Sequence, residues 1–87
     1  MREVKVGQLV VWHESDGKAV NALVTAVWGP TCINVVIVAL DESKQDGYGR
    51  QIERKTSCSH KSIMNVHGFY WRFEDEEPNP YVPPQAV

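Results

Sequence analysis

Hydrophobic and polar positions alternate through the middle of the chain in two runs, Asn21–Trp28 and Cys32–Leu40. In the first run the odd-numbered residues share one face and the even-numbered residues share the other, which is the two-residue period of a β-strand. The second run is apolar on both faces, as is typical of a strand inside a sheet or small barrel. Gly29-Pro30-Thr31 separates the two runs, so the pattern predicts an antiparallel hairpin with strands near residues 20–28 and 32–40.

Three further segments have the pattern of strands and flank this hairpin on both sides. The first leads into it through an Asp-Gly turn, which supplies the positive φ of a tight reversal. The second is charged, as is typical of a sheet edge, and follows a polar, glycine-bearing loop at residues 41–50. The three segments are Val4–His13, bent at Gly7, then Gln51–Ser59, and finally Phe69–Phe73.

Five short strands in 87 residues predict an all-β fold, a small five-stranded antiparallel SH3-like barrel over residues 1–74. An OB-like barrel is less favoured, because it usually carries a helix between its third and fourth strands and residues 41–50 are poor helix formers. Residues 59–67 predict a short helical turn. Residues 75–87 are acidic and proline-rich and predict an extended C-terminal arm, which we expect to be solvated rather than laid on a partner.

Composition narrows the function classes further. The net charge of −2 lacks the dominant basic face that duplex nucleic acid requires, so no duplex nucleic acid is expected as a partner. No apolar run approaches the roughly 20 residues of a membrane span, so no membrane is expected either. The two cysteines, Cys32 and Cys58, are predicted to be reduced, buried hydrophobic residues of a cytosolic protein.

Three histidines and the two cysteines are the candidates for metal binding or nucleophilic catalysis. Only Cys58-x-His60 brings two such residues close together, and its spacing differs from that of known zinc sites. Neither cysteine lies in a motif with flanking glycines and an orienting carboxylate. We therefore expect no metal, no cofactor and no enzymatic activity.

Aromatic, histidine and arginine residues at the predicted strand ends are the strongest candidates for a binding site. Aromatic rings can stack on a base, and Arg or His can neutralise a phosphate. A lone threonine among apolar neighbours joins them, because its hydroxyl needs a partner. The alternative is that these side chains only pack the ends of the barrel. The candidate ligand-binding residues are Trp12, His13, Thr25, His60, Trp71 and Arg72, with Trp28 and Tyr70 on the same predicted rim.

Several short motifs resemble those of a widespread group of small bacteriophage proteins. The chain reads V-G-x-L-V-x-W-H, A-L-V-T-x-V and G-x-x-W-x-F-E, where the group has V-G-D-x-V-H-Y, A-x-V-T-x-V and a closing G-T-W-H-W. The resemblance covers residues 4–74 and implies a phage origin and a small β fold, with no agreed activity. The matching positions are Gly7, Val10, Gly17, Ala22, Val24, Thr25, Val27, His60, Gly68 and Trp71.

The chain departs from the group's pattern at two positions of the candidate site. The early histidine of the pattern falls at Trp12, or is shifted to His13. The closing W-H-W reads Trp71-Arg72-Phe73, which removes the histidine there. The 41–50 loop is also longer, and the C-terminal arm has no counterpart.

Two classes of function follow from these observations. The first is a phage-encoded, non-catalytic binding module of the host cytoplasm that captures a small anionic or nucleotide-like ligand, such as a signal molecule of host defence. The alternative is a structural accessory of the virion, a decoration or joining protein whose arm grips its neighbours. A third hypothesis, a proteinaceous inhibitor of a host enzyme, shares the non-catalytic character of the first. The predicted edge strand also favours a homo-oligomer.

Overall fold

A single curled antiparallel sheet of five strands dominates the fold. It is seen in a computed structural model that describes residues 2–63 and 68–80. These residues contain no helix, and hence none that could cross a membrane. The predicted all-β, five-stranded, barrel-like fold is thereby confirmed. The strands are β1 (Leu9–His13), β2 (Ala19–Val27), β3 (Cys32–Val38), β4 (Gln45–Asp46), β5 (Gly49–Arg50), β6 (Ile52–Ser59) and β7 (Tyr70–Arg72). The order of the strands in the sheet is β6-β3-β2-β1-β7.

One face of the sheet forms the core, and β3 shows why. Its residues Ile33, Val35 and Ile37 are at most 2% exposed. Its other face is also apolar, yet Val36 is only half-buried and Val38 is exposed. The sheet is thus one layer that curls around its own side chains, with no second layer on its outer face in the described residues. The core comprises Val4, Val10, Trp12, Ala22, Val24, Ile33, Val35, Ile37, Cys58, Trp71 and Phe73.

Two bulges curl the sheet at the same residue of β3, Asn34. The register of β2 shifts between Val24 and Ala26, and that of β6 shifts across residues 56–57, both opposite Asn34. A bulge bends its strand and increases the local twist. The Asn34 side-chain oxygen accepts a hydrogen bond from the Ser57 backbone N–H at 2.9 Å. That bond holds Ser57 at a φ of 53°, a backbone conformation that residues other than glycine rarely adopt.

Four of the five predicted strands are shorter in the structure, whereas β2 has the predicted length, and the loop between β3 and β6 is more regular than predicted. Gly7 has a φ of 89° and turns the chain before β1, which confirms the predicted bend. Residues 41–50 fold into the small β4–β5 hairpin, which Lys44 ties to Glu53 of β6 at 2.8 Å. A turn occupies 61–63 where a helical turn was predicted, and 64–67 lie outside the described residues.

The cysteines are both free thiols. Cys58 is fully buried in the core, as predicted, and Cys32 is half-buried. Burial raises the pKa of the Cys58 thiol to about 11, against a smaller opposing effect of the Trp12 indole. The thiolate is therefore scarce at neutral pH, which is the state of a structural rather than a reactive cysteine.

The two edge strands of the sheet approach each other at one point. His60, just after β6, forms a parallel bridge with Trp71 of β7, and the Lys61 N–H donates to the Trp71 carbonyl at 2.9 Å. The Thr31 carbonyl, in the β2–β3 turn, accepts from the His60 backbone N–H at 2.8 Å and from the Trp71 indole at 3.1 Å. The barrel is thus drawn together at the end that contains the β2–β3 turn.

The Asn34 side-chain oxygen accepts the Ser57 backbone N–H and also the indole N–H of Trp28 at 2.9 Å, and this double role gives a test of how the sheet is curled. Asn34→Ala removes the acceptor for the Ser57 N–H and for the Trp28 indole, and we expect a loss of about 1 kcal/mol in the free energy of unfolding. Asn34→Asp keeps an oxygen at the same place and should lose less. Urea denaturation measures both, and Asn21→Ala on the exposed side of β2 is the control. Equal stability of Asn34→Ala and wild type would contradict the role given to this side chain.

Candidate functional site

His60 is the most buried histidine of the described residues and lies where the edge strands meet, with 4% of its surface exposed. Its ring packs edge-on against Trp71 with centroids 4.7 Å apart. Nδ1 accepts the Ser62 backbone N–H at 3.2 Å, so Nε2 carries the proton. Nε2 then donates to the Glu76 carboxylate at 2.7 Å. Every polar atom of this imidazole is therefore satisfied within the chain.

Glu76 ties the segment after β7 back onto the barrel. The carboxylate oxygen that receives His60 also accepts the Phe73 backbone N–H at 2.8 Å. Burial raises the pKa of the Glu76 carboxyl, but the hydrogen bonds from His60 and Phe73 outweigh burial and hold that pKa below its ordinary value. Glu76 therefore stays ionised in the folded protein at neutral pH.

His13 and Arg72 form a second cluster on the outer side of β1 and β7. His13 stacks on Tyr70, its register partner, with ring centroids 4.4 Å apart and planes 9° apart. Arg72 Nε donates to His13 Nε2 at 2.9 Å, so this nitrogen of His13 is unprotonated. Burial, followed by the charge of Arg72, lowers the pKa of His13. The guanidinium also donates through one terminal nitrogen to the carbonyls of Phe73, Glu74 and Glu76.

The start of the C-terminal arm is bound to the barrel, which corrects the prediction of a solvated arm for residues 75–80. Asp75 pairs with Arg2, whose guanidinium also lies 3.9 Å from the Phe73 ring centroid. The Asn79 N–H donates to the Tyr70 hydroxyl at 2.9 Å. Of the acidic side chains that we expected to be solvated, Asp75 thus forms an ion pair with an arginine of the same chain. Residues 81–87 lie outside the described residues.

The six predicted site residues therefore fall into four groups. Trp12 and Trp71 are core residues with at most 2% exposure. His60 belongs to the Glu76 cluster, and His13 and Arg72 bind each other. Thr25 is exposed on β2, apart from the other five residues. The structure brings five of the residues, all but Thr25, to neighbouring places on β1, on β7 and just after β6, but as internal contacts and not as the lining of an open cleft.

Ser62, His60 and Glu76 form a chain of hydroxyl, imidazole and carboxylate. The Ser62 hydroxyl lies 2.9 Å from His60 Nδ1, so the connectivity is that of a hydrolase relay. However, the same Nδ1 already receives the backbone N–H of Ser62, and Ser62 lies two residues after His60 in the same tight turn. This is the local geometry by which serine satisfies a nearby polar group, and we interpret this series of hydrogen bonds as structural.

Trp28, directly after β2, lies on the predicted rim but is not one of the six candidate ligand-binding residues. It is 67% exposed, and its indole N–H donates to Asn34 at 2.9 Å, which fixes the ring. An open groove of about 410 Å³ lies beside it, and Glu3 is the charged residue among those lining it. The position of Trp28 next to a Gly-Pro turn was the signal in the sequence. The groove is lined by Glu3, Val4, Val27, Trp28, Gly29 and Pro30.

The described parts of the chain contain no cluster of side chains suited to binding a metal ion. Within residues 2–63 and 68–80, no three His, Cys, Asp or Glu side chains come together to hold an ion. Cys58 and His60 are engaged with the core and with Glu76, respectively. The third histidine, His67, lies outside the described residues.

Comparisons with protein-family models, with curated proteins and with solved structures gave no match. The resemblance to small phage proteins is thus carried by the short motifs alone. Function has to be argued from the geometry of the chain itself.

The buried bond between His60 and Glu76 can be tested by removing the acceptor. Glu76→Ala leaves the Nε2–H of a buried imidazole unpaired and frees the Phe73 N–H, so we expect a loss of about 1–3 kcal/mol in the free energy of unfolding. Chemical denaturation measures it, with the adjacent exposed Glu77→Ala as the matched control. If the two variants were equally stable, the arm would not depend on Glu76.

The two clusters also predict how stability falls in acid. The pKa of His13 is lowered from 6.5 in the folded state, so the unfolded chain takes up a proton first. This stabilisation is complete above pH 6.5 and is lost as the pH falls through the native pKa. Glu76, whose pKa is lowered from 4.5, contributes above pH 4.5 and loses that contribution below it. Thermal melts between pH 8 and pH 3 should therefore show two stages of destabilisation.

His13→Gln is the variant that separates these stages. Its side-chain oxygen can still accept from Arg72 but does not titrate, so the first stage should flatten while the second persists. A first stage of unchanged size in His13→Gln would assign the loss to another group.

Proposed function

We propose that this protein is a non-catalytic binding module that recognises a protein partner through the surface around Trp28. The carrying observation is that Trp28 is largely exposed and yet held in one orientation by Asn34. Tryptophan is prominent among the residues that dominate binding energies at protein interfaces. A ring already fixed in place loses little conformational freedom when it binds. The apolar groove beside it offers room for a side chain of the partner.

Capture of a nucleotide-like ligand by the His, Trp and Arg residues has weaker support. Arg72 and His13 are bonded to each other, and the arginine also serves backbone carbonyls. A phosphate would have to replace these bonds in the neighbourhood of the Glu76 carboxylate, which repels an anion. The groove at Trp28 likewise has an acidic side chain, Glu3, and not a basic one.

The virion-accessory alternative depended on a free arm that grips its neighbours. The first residues of the arm are engaged with their own barrel through Asp75, Glu76 and Asn79, which weakens that support. An inhibitor of a host enzyme, in contrast, is one form of a protein-binding module. The motif resemblance favours a phage origin, and with it action in the host cytoplasm.

Selection of peptides on the immobilised full chain tests this proposal. Peptides selected from a random displayed library should bind the wild type and lose about tenfold or more in affinity for Trp28→Ala, which corresponds to about 1.4 kcal/mol or more. Because the other two tryptophans are buried, binding should also shift the fluorescence emission of Trp28 to shorter wavelength. Tyr48→Ala, at a fully exposed aromatic of the β4–β5 hairpin, is the matched control.

A nucleotide panel in a thermal-shift assay is the opposing arm. We expect no rise in Tm with any nucleotide. A rise that His13→Gln or Arg72→Gln abolishes would favour ligand capture at the predicted site instead. Selected peptides that bind Trp28→Ala as tightly as wild type would contradict the role of the Trp28 surface.

A further inference from the structure

We propose that the groove beside Trp28 binds an arginine side chain of the partner protein. This inference rests on the proposed function, because it names the group that the Trp28 surface recognises. It is carried by the chemistry of the residues that line the groove, which combine an exposed aromatic ring, a carboxylate and an apolar wall.

The Trp28 side chain offers a partner its aromatic ring and not its polar edge. The indole N–H is used within the chain, where it donates to the Asn34 side-chain oxygen at 2.9 Å. The side chain is nevertheless largely exposed, so a partner meets mainly the π system. The face of an aromatic ring attracts cations, and tryptophan does so most strongly. A cationic group of the partner therefore suits this ring better than an anionic one.

Glu3 supplies the charge of the groove. It is exposed and lines the groove, and it forms no hydrogen bond or ion pair with any other residue in the ranges 2–63 and 68–80. The adjacent Arg2 does not neutralise it, because that guanidinium is paired with Asp75. An unpaired carboxylate at a binding surface favours a partner that brings a positive charge to it.

The remaining residues of the groove are apolar, which favours a long side chain over a bare cation. Arginine and lysine both bury their methylene stems along apolar surface while the charged head binds a polar group. Arginine fits better here, because its planar guanidinium stacks on aromatic faces and matches the geometry of a carboxylate, whereas an ammonium is a compact point charge. The apolar lining consists of Val4, Val27, Gly29 and Pro30.

The chain contains the same combination of groups once, occupied by its own arginine. The Arg2 guanidinium lies 3.9 Å from the Phe73 ring centroid and donates to the Asp75 carboxylate at 2.9 Å. One aromatic ring and one carboxylate thus bind this guanidinium together. Trp28 and Glu3 are the same two kinds of group, and no arginine is among the residues that line their groove.

A double-mutant cycle tests the inference. Peptides selected from a random displayed library on the immobilised full chain, and kept because Trp28→Ala weakens their binding, should share an arginine. Replacing that arginine by citrulline keeps the shape and removes the charge, so affinity should fall about tenfold through loss of both the ring contact and the ion pair. Glu3→Gln removes the ion pair alone and should cost the arginine peptide about threefold. On Glu3→Gln the further effect of citrulline should shrink to about threefold, because contacting groups are not additive.

Glu42→Gln, at an exposed acid outside the groove, is the matched control and should bind both peptides as wild type does. Circular dichroism verifies that each variant is folded. Trp28-dependent peptides that share no arginine, or a citrulline effect of equal size on wild type and Glu3→Gln, would overturn the arginine site and leave the proposed function in place. Failure to obtain any Trp28-dependent peptide would instead contradict the proposed function, and the arginine site with it.

Discussion

The hydrogen bond from His60 to Glu76 is the contact on which the end of this barrel depends. A curled sheet of five strands has two edges, and in the described residues they meet at the bridge between His60 and Trp71. The imidazole at that bridge is buried, so its N–H requires an acceptor. Glu76, fourteen residues after Ser62, supplies this acceptor because the chain after β7 folds back onto the barrel. The same carboxylate anchors the start of the C-terminal arm. One carboxylate thus joins the closure of the sheet to the placement of the arm.

One-sided burial explains why several large apolar side chains of the sheet are exposed. The bulges opposite Asn34 curl the sheet so that alternate side chains of each strand fill the core. The remaining side chains of the central strands face outward, and no second layer within the described residues covers them. Leu23 and Val38 are exposed for this reason. Trp28 is exposed for another, because it lies beyond the last residue of β2 in the turn.

The two-residue period was sufficient to predict the strands, because burial on one face imposes that period directly. Gly7 and the charged edge strand were also predictable, since each has a local physical cause. The polar contacts were not, because partners such as His13 and Arg72 are far apart in sequence and meet only through strand register. Glu76 lies in a run of four acidic residues whose members composition cannot distinguish. Thr25 was chosen for its unpaired hydroxyl, a reason that its exposure to water removes.

Side chains that have partners within the chain and side chains that face solvent imply different roles. The histidine and arginine clusters are hydrogen-bonded within the chain, so they stabilise the fold. Trp28 differs from them, because its indole N–H is bonded to Asn34 while most of the side chain is exposed. A side chain that is held in place and still exposed is suited to recognition, since binding costs it little conformational freedom. The residues that stabilise the sheet are therefore separate from the surface that we propose for binding.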